Sequence, residues 1–116
     1  MGSRSRTKGH QWERDVANRL TIASGRKHER NLEEVRSGNS GDILGPLPLS
    51  VQCKVGGLPR IYDAVKEAVA ASKPGEYAVA VIKKDGSRHR AVVELAVMPM
   101  EDFEEIVGIL TARGIW

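Results

Sequence analysis

Apolar residues recur along the chain at two different periods, and the changes of period mark the elements. Between residues 9 and 23, Trp12, Val16, Leu20 and Ala23 repeat at helical spacing while Arg14 and Arg19 fall off the stripe, which predicts a first helix closed by Ser24-Gly25. Residues 28–35 are weakly patterned and read as an edge strand. Residues 36–41, Arg-Ser-Gly-Asn-Ser-Gly, are turn formers. Asp42 to Leu44 opens a short strand, broken by Gly45-Pro46-Leu47-Pro48. Residues 49–55 alternate, with Val51, Cys53 and Val55 on one face and Gln52 and Lys54 on the other. Gly56-Gly57 stops that strand. A helix from about Pro59 to Ser72 carries Leu58, Ile61, Val65 and Val69 as its stripe, and Lys73-Pro74-Gly75 ends it. Residues 77–82 form a β-branched, apolar run of the buried-strand kind. Lys83 to Gly86 turns into a strand over 91–98. A last helix after Pro99 shows Met100, Phe103, Ile106, Val107 and Leu110 on one side.

The order is α-β-β-β-α-β-β-α. One crossover helix between strands predicts an α/β single domain with a central mixed β-sheet flanked by helices. A length of 116 residues leaves room for one core. Residues 1–8, polar and basic, read as a flexible N-terminal arm ahead of a folded domain over 9–116. No apolar run reaches membrane-spanning length, so no membrane partner is expected. The single cysteine, Cys53, makes no internal disulfide, and an intracellular, cytoplasmic setting is expected.

Charge sharpens the picture through its placement. The formal net charge is +3, but residues 1–30 hold eight Lys/Arg against three acids, while residues 61–116 hold seven against nine. A basic N-terminal half suits a polyanion such as DNA. Arg4, Arg6, Lys8, Arg14, Arg36, Ser40, Lys83 and Lys84 are the candidate DNA contacts. Lys83 and Lys84, with Arg88 and Arg90, are read either as a solvated turn or as a second phosphate contact.

The chemistry lies in Asp42 and, ten residues on, Gln52-Cys53-Lys54. If the two strands pair, a carboxylate, an amide oxygen and an ammonium converge at one end of the sheet. Hard divalent cations take oxygen ligands and polarise phosphates. A lysine beside such a site orients water and stabilises negative charge. Glu13, on the first helix, is a further candidate oxygen ligand, direct or through water. Alone, each residue has an ordinary reading: a turn-forming Asp, an edge Lys, a solvated helix Glu. Lys54, however, sits inside an apolar strand, where a charge needs a reason. Cys53 reads as a small buried hydrophobe, and His10, His28 and His89 lack zinc-ligand spacing.

These residues resemble, in order and spacing, the PD-(D/E)XK nuclease superfamily, and within it archaeal-type and phage Holliday junction resolvases. Lys8-Gly9-His10-Gln11-Trp12-Glu13-Arg14-Asp15-Val16 resembles their opening helix, Ser40-Gly41-Asp42 their strand-opening Asp, and Val51-Gln52-Cys53-Lys54 their (D/E)-x-K strand. The resemblance covers nearly the whole chain. It implies a restriction-endonuclease-like fold and a catalytic set of Glu13, Asp42, Gln52 and Lys54. It also implies Mg or Mn held by Asp42, Gln52 and the Cys53 backbone carbonyl, with Glu13 through water. Gln52 stands where the family usually has Glu or Asp, although some branches resemble this chain in using Gln-x-Lys. The amide brings no charge, so metal affinity is expected to be lower. The expected activity is hydrolysis of DNA phosphodiesters, at four-way junctions, by a homodimer whose twofold axis matches two equivalent scissile strands. A repair or restriction-type nuclease of the same fold, and an inactive DNA-binding module, remain the competing readings. Ile115 and Trp116 are expected either in the dimer interface or buried on the chain's own core.

Overall fold

The structure, a computed structural model, describes residues 2–32, 41–56, 60–84 and 94–116, with side chains from Thr7 onward. The elements follow in the order α1 (Gly2–Ser24), β1 (Glu29–Arg30), β2 (Ile43–Leu44), β3 (Leu49–Val55), α2 (Ile61–Ala71), β4 (Tyr77–Lys83), β5 (Glu94–Val97) and α3 (Met100–Ala112). This is the expected succession of helices and strands. No helix among the described residues is long and apolar enough to cross a membrane.

Strand β3 is the structural axis. It pairs in parallel with β4, Gln52 opposite Ala80 and Lys54 opposite Ile82, and β4 pairs antiparallel with β5. Helix α2 makes the connection that a parallel pair requires. The mixed sheet has the order β3-β4-β5. Strands β1 and β2 form a separate antiparallel ladder, Arg30 opposite Ile43. This ladder leans on the free edge of β3 through one backbone bond, Asp42 N–H to the Val51 carbonyl at 2.8 Å.

The two faces of the sheet are filled differently. On one, Trp12, Val16 and Ala17 of α1 close over Ile43, Val51 and Cys53. On the other, Ala64 of α2 meets Ala80 and Ile82, with Ile61, Val65 and Val97 at the margin. The stripe expected on α2 is thus turned: Ala64, Ala68 and Ala71 are buried, while Val69 is 48% exposed. Small side chains let a helix approach a sheet closely, and here closeness outweighs the larger apolar surface of the valines.

Other expectations change as well. Helix α1 begins at Gly2, so residues 2–8 lengthen the helix where a flexible arm was expected. Arg and Lys are good helix formers, and no proline interrupts the segment. Ala23 on the expected stripe is exposed, and Ala17 is buried in its place. Strand β1 is two residues long, and residues 33–40 of the stretch around it lie outside the described residues, as do Arg88, Arg90 and Pro59. Strand β4 alternates between buried and half-buried positions, so it is covered more fully on the α2 side than on the other. Ile115 and Trp116 are 62% and 67% exposed, which removes the tail-on-core reading. Cys53 is a buried free thiol, as expected.

Candidate active site

Asp42 stands one residue before β2 and is only 5% exposed. Its backbone is seated directly on β3, and Gly41 makes that possible. A Cβ at Gly41 would stand 2.6 Å from the Val51 carbonyl oxygen and 2.9 Å from the Val51 nitrogen. Asn31 clasps the segment from the other side. Its N–H donates to the Asp42 carbonyl at 2.8 Å, and its side-chain amide donates to the Gly41 carbonyl at 3.0 Å. Asn31 is 1% exposed, a cost met by these bonds. The Asp42 carboxylate then accepts the Cys53 backbone N–H at 2.9 Å through Oδ2. In a strand, the N–H and C=O of one residue point to the same edge. The Cys53 carbonyl therefore faces the Asp42 side and not β4.

Glu13 is brought to the same end of the molecule by α1. It is 8% exposed, and Arg30 Nε lies 3.1 Å from its Oε1. Arg30 is the β1 partner of Ile43, the residue after Asp42. Removing one member of so enclosed a pair leaves a buried charge, which is far costlier than the pair itself is stabilising. The same strand pair packs through His28, whose ring lies against Gly45 so tightly that a Cβ there would fall 2.7 Å from Nε2.

Gln52 and Lys54 occupy the opposite face of β3 from Glu13, the one covered by α2. Ser50, two residues earlier on that face, donates its hydroxyl to the Ala68 carbonyl of α2 at 2.7 Å. Lys54 Nζ meets Glu67 Oε2 of α2 at 2.9 Å. The expected residues are therefore brought together in part. Asp42 and the backbone of Cys53 are in direct contact, Gln52 and Lys54 flank that contact on the α2 face, and Glu13 flanks it on the α1 face.

Sequence reasoning missed Asn31, Arg30 and Glu67. Glu67 follows Lys54 by thirteen residues and stands on α2, where nothing in the local pattern marks it as a partner. Arg30 entered only as one of eight basic charges.

Among the candidate DNA contacts, Lys8, Arg14 and Lys84 are exposed. Lys83 Nζ lies 5.5 Å from the centroid of the Trp12 ring, a cation–π arrangement. Arg4 and Arg6 lie on α1 with side chains outside the described part, and Arg36 and Ser40 lie outside the described residues.

The described residues hold no group of three or more His, Cys, Asp and Glu side chains placed for a metal. A set of one carboxylate, one amide oxygen and one backbone carbonyl is nevertheless hard-oxygen chemistry, suited to Mg or Mn and poor in charge.

Comparisons of the chain with family models, with curated proteins and with solved structures return no match.

Proposed function

We propose that this chain is a divalent-metal-dependent DNA endonuclease of the PD-(D/E)XK type, acting on four-way junctions as a homodimer. The observation that carries the reading is Asp42. A buried carboxylate is hydrogen-bonded to the backbone of the Gln52-Cys53-Lys54 strand, at a close approach that only Gly41 permits. A turn-forming Asp would be exposed and bonded to its own turn. Asp42, the Gln52 amide and the Cys53 carbonyl would hold Mg or Mn, and Glu13 would supply a further oxygen. When bound there, the ion supplies polarisation of the scissile phosphodiester. Lys54 contributes positive charge where negative charge develops. Arg14, Lys8 and Lys84 supply backbone contacts that position the duplex arms.

A second reading is a DNA-binding module of this fold without activity. It is favoured by the neutral Gln52, which adds no charge to the ligand set.

The deciding experiment is cleavage of a synthetic four-way junction beside matched linear duplex, in Mg and in Mn. Cleavage that needs the metal, prefers the junction, and falls at least about a hundredfold in Asp42→Asn with junction binding retained is the expected result. Asp42→Asn cleaving at the wild-type rate overturns the site. Metal-independent binding without cleavage by the wild type, in Mn as well as Mg, selects the second reading.

A further inference from the structure

We propose that Glu67 is a positioning residue for Lys54, and that helix α2 is packed to deliver it there. The proposal rests on the endonuclease reading for its catalytic consequence. The contact itself rests on geometry alone: Lys54 Nζ and Glu67 Oε2 are 2.9 Å apart.

Three observations make this more than a casual surface pair. First, α2 is seated on the sheet by its smallest residues, Ala64 and Ala68, both fully buried. Ala64 meets Ile82, and Ile82 is the strand partner of Lys54. Second, the helix is tied to β3 beside Glu67. The Ser50 hydroxyl donates to the carbonyl of Ala68, the residue after Glu67, at 2.7 Å. The Glu67 backbone is therefore fixed relative to β3. Third, the pair lies on the face of β3 that Gln52 shares, at the strand whose other edge holds Asp42.

Lys54 and Glu67 are 38% and 48% exposed at the side chain. At such exposure an ion pair adds little to stability. What it does restrict is a lysine stem with four rotatable carbons, whose ammonium would otherwise sample solvent. Glu67 holds the ammonium over the α2 face, next to the position that lacks a carboxylate because Gln52 stands there. Asp63, one turn earlier on α2, and Lys66 beside Glu67 are the other charges of that helix near this face, and both are exposed.

The test uses the full chain with Glu67→Gln, Glu67→Asp and the exchanged pair Lys54→Glu/Glu67→Lys. On a four-way junction, Glu67→Gln is expected to lower kcat at least tenfold with KM within twofold, at an unchanged thermal midpoint. Glu67→Asp is expected to recover much of the loss. The exchanged pair keeps the midpoint and does not cleave. Cleavage by Glu67→Gln within twofold of wild type overturns the proposal. So does a fall in kcat that merely tracks a lower midpoint, because the pair is then structural.

A second readout is independent of cleavage. An amine held by a carboxylate reacts slowly with acetic anhydride. Mass spectrometry should show Lys54 labelled at least threefold faster in Glu67→Gln, relative to Lys66 and Lys73 of the same chain. Unchanged labelling overturns the placement of Lys54. Faster labelling in a protein that cleaves no DNA supports the placement while removing the endonuclease reading.

Discussion

Helices α1 and α3 carry apolar stripes of similar length, and the molecule uses them in opposite ways. Helix α1 buries Trp12, Val16 and Ala17, and the Trp12 indole N–H donates to the Val81 carbonyl at 3.0 Å. Helix α3 buries no side chain. Met100 and Phe103 on its apolar side are 67% and 46% exposed. Ile106, Val107 and Leu110 are half-buried, and polar contacts add to their hold. Strand β5 pairs with β4 only from Ala80 onward, which leaves the Ala78 N–H at an open edge, and Asp102 Oδ2 accepts it at 3.0 Å. The Tyr77 hydroxyl bonds Glu105 nearby. Periodicity thus says that a helix has an apolar side; it does not say that the fold provides something to cover it. The helix that is covered is also the one that carries Glu13 to the candidate site.

The largest expected effect tests that contrast directly. Trp12→Ala should cost about 3–5 kcal/mol, since a buried aromatic is lost, a cavity is left and the Val81 carbonyl loses a donor. Phe103→Ala, half exposed on α3, should cost no more than about 1 kcal/mol. Urea unfolding of both variants gives the comparison. Equal losses would mean that α3 is seated as firmly as α1.

What the sequence made legible follows from the same physics. Strong local signals survived: the order of all eight elements, the Gly56 stop after β3, and the alternation in β3 that puts Cys53 in the core and Gln52 with Lys54 on the other face. Asp42 stands out as a carboxylate after a glycine-rich turn, and Gln52 and Lys54 as polar residues within an apolar strand. Two kinds of feature were not legible. Helix faces depend on which neighbour is close, so on α2 the alanines are buried, Ile61 and Val65 pack at the core margin, and Val69 is exposed. Partners distant in sequence, such as Glu13 with Arg30 and Lys54 with Glu67, have no local signature, because a charged side chain reads the same whether solvated or paired. The close approach at Gly41 was read only as turn chemistry. Its steric reason, the Val51 backbone, appears only once β2 is laid on β3.

Two glycines sharpen the comparison at the next scale. Gly41→Ala should destabilise by about 1–3 kcal/mol, because the new Cβ meets backbone atoms that cannot swing aside. The same change should reduce metal-dependent cleavage, since it moves Asp42. Gly108→Ala in the middle of α3 should do the reverse. Nothing lies within 4 Å of a Cβ there, and glycine in a helix interior costs about 0.5–1 kcal/mol relative to alanine. Thermal midpoints moving in opposite directions are expected. A loss in Gly108→Ala would place a neighbour against that face of α3.

The smallest effect concerns how α3 is held. The Tyr77 phenol is raised above its ordinary 10.0, first by partial burial, then by the Glu105 carboxylate, to which it also donates a hydrogen bond, and last by Asp102. The folded chain therefore keeps this proton to higher pH than the unfolded chain does. The stability it contributes is fully present below the unfolded value of 10.0 and is lost as pH rises through the folded one. Helix α3 should accordingly loosen only in strong alkali. Tyrosinate absorbance against pH should show an ionisation above 10.0 that Tyr77→Phe deletes. Glu105→Gln removes the negative charge but keeps an acceptor, so it should lower the Tyr77 midpoint towards 10.0 without abolishing the contact. An unmoved midpoint in Glu105→Gln would show that Glu105 does not touch the phenol, and α3 would then be held at this point by Asp102 alone.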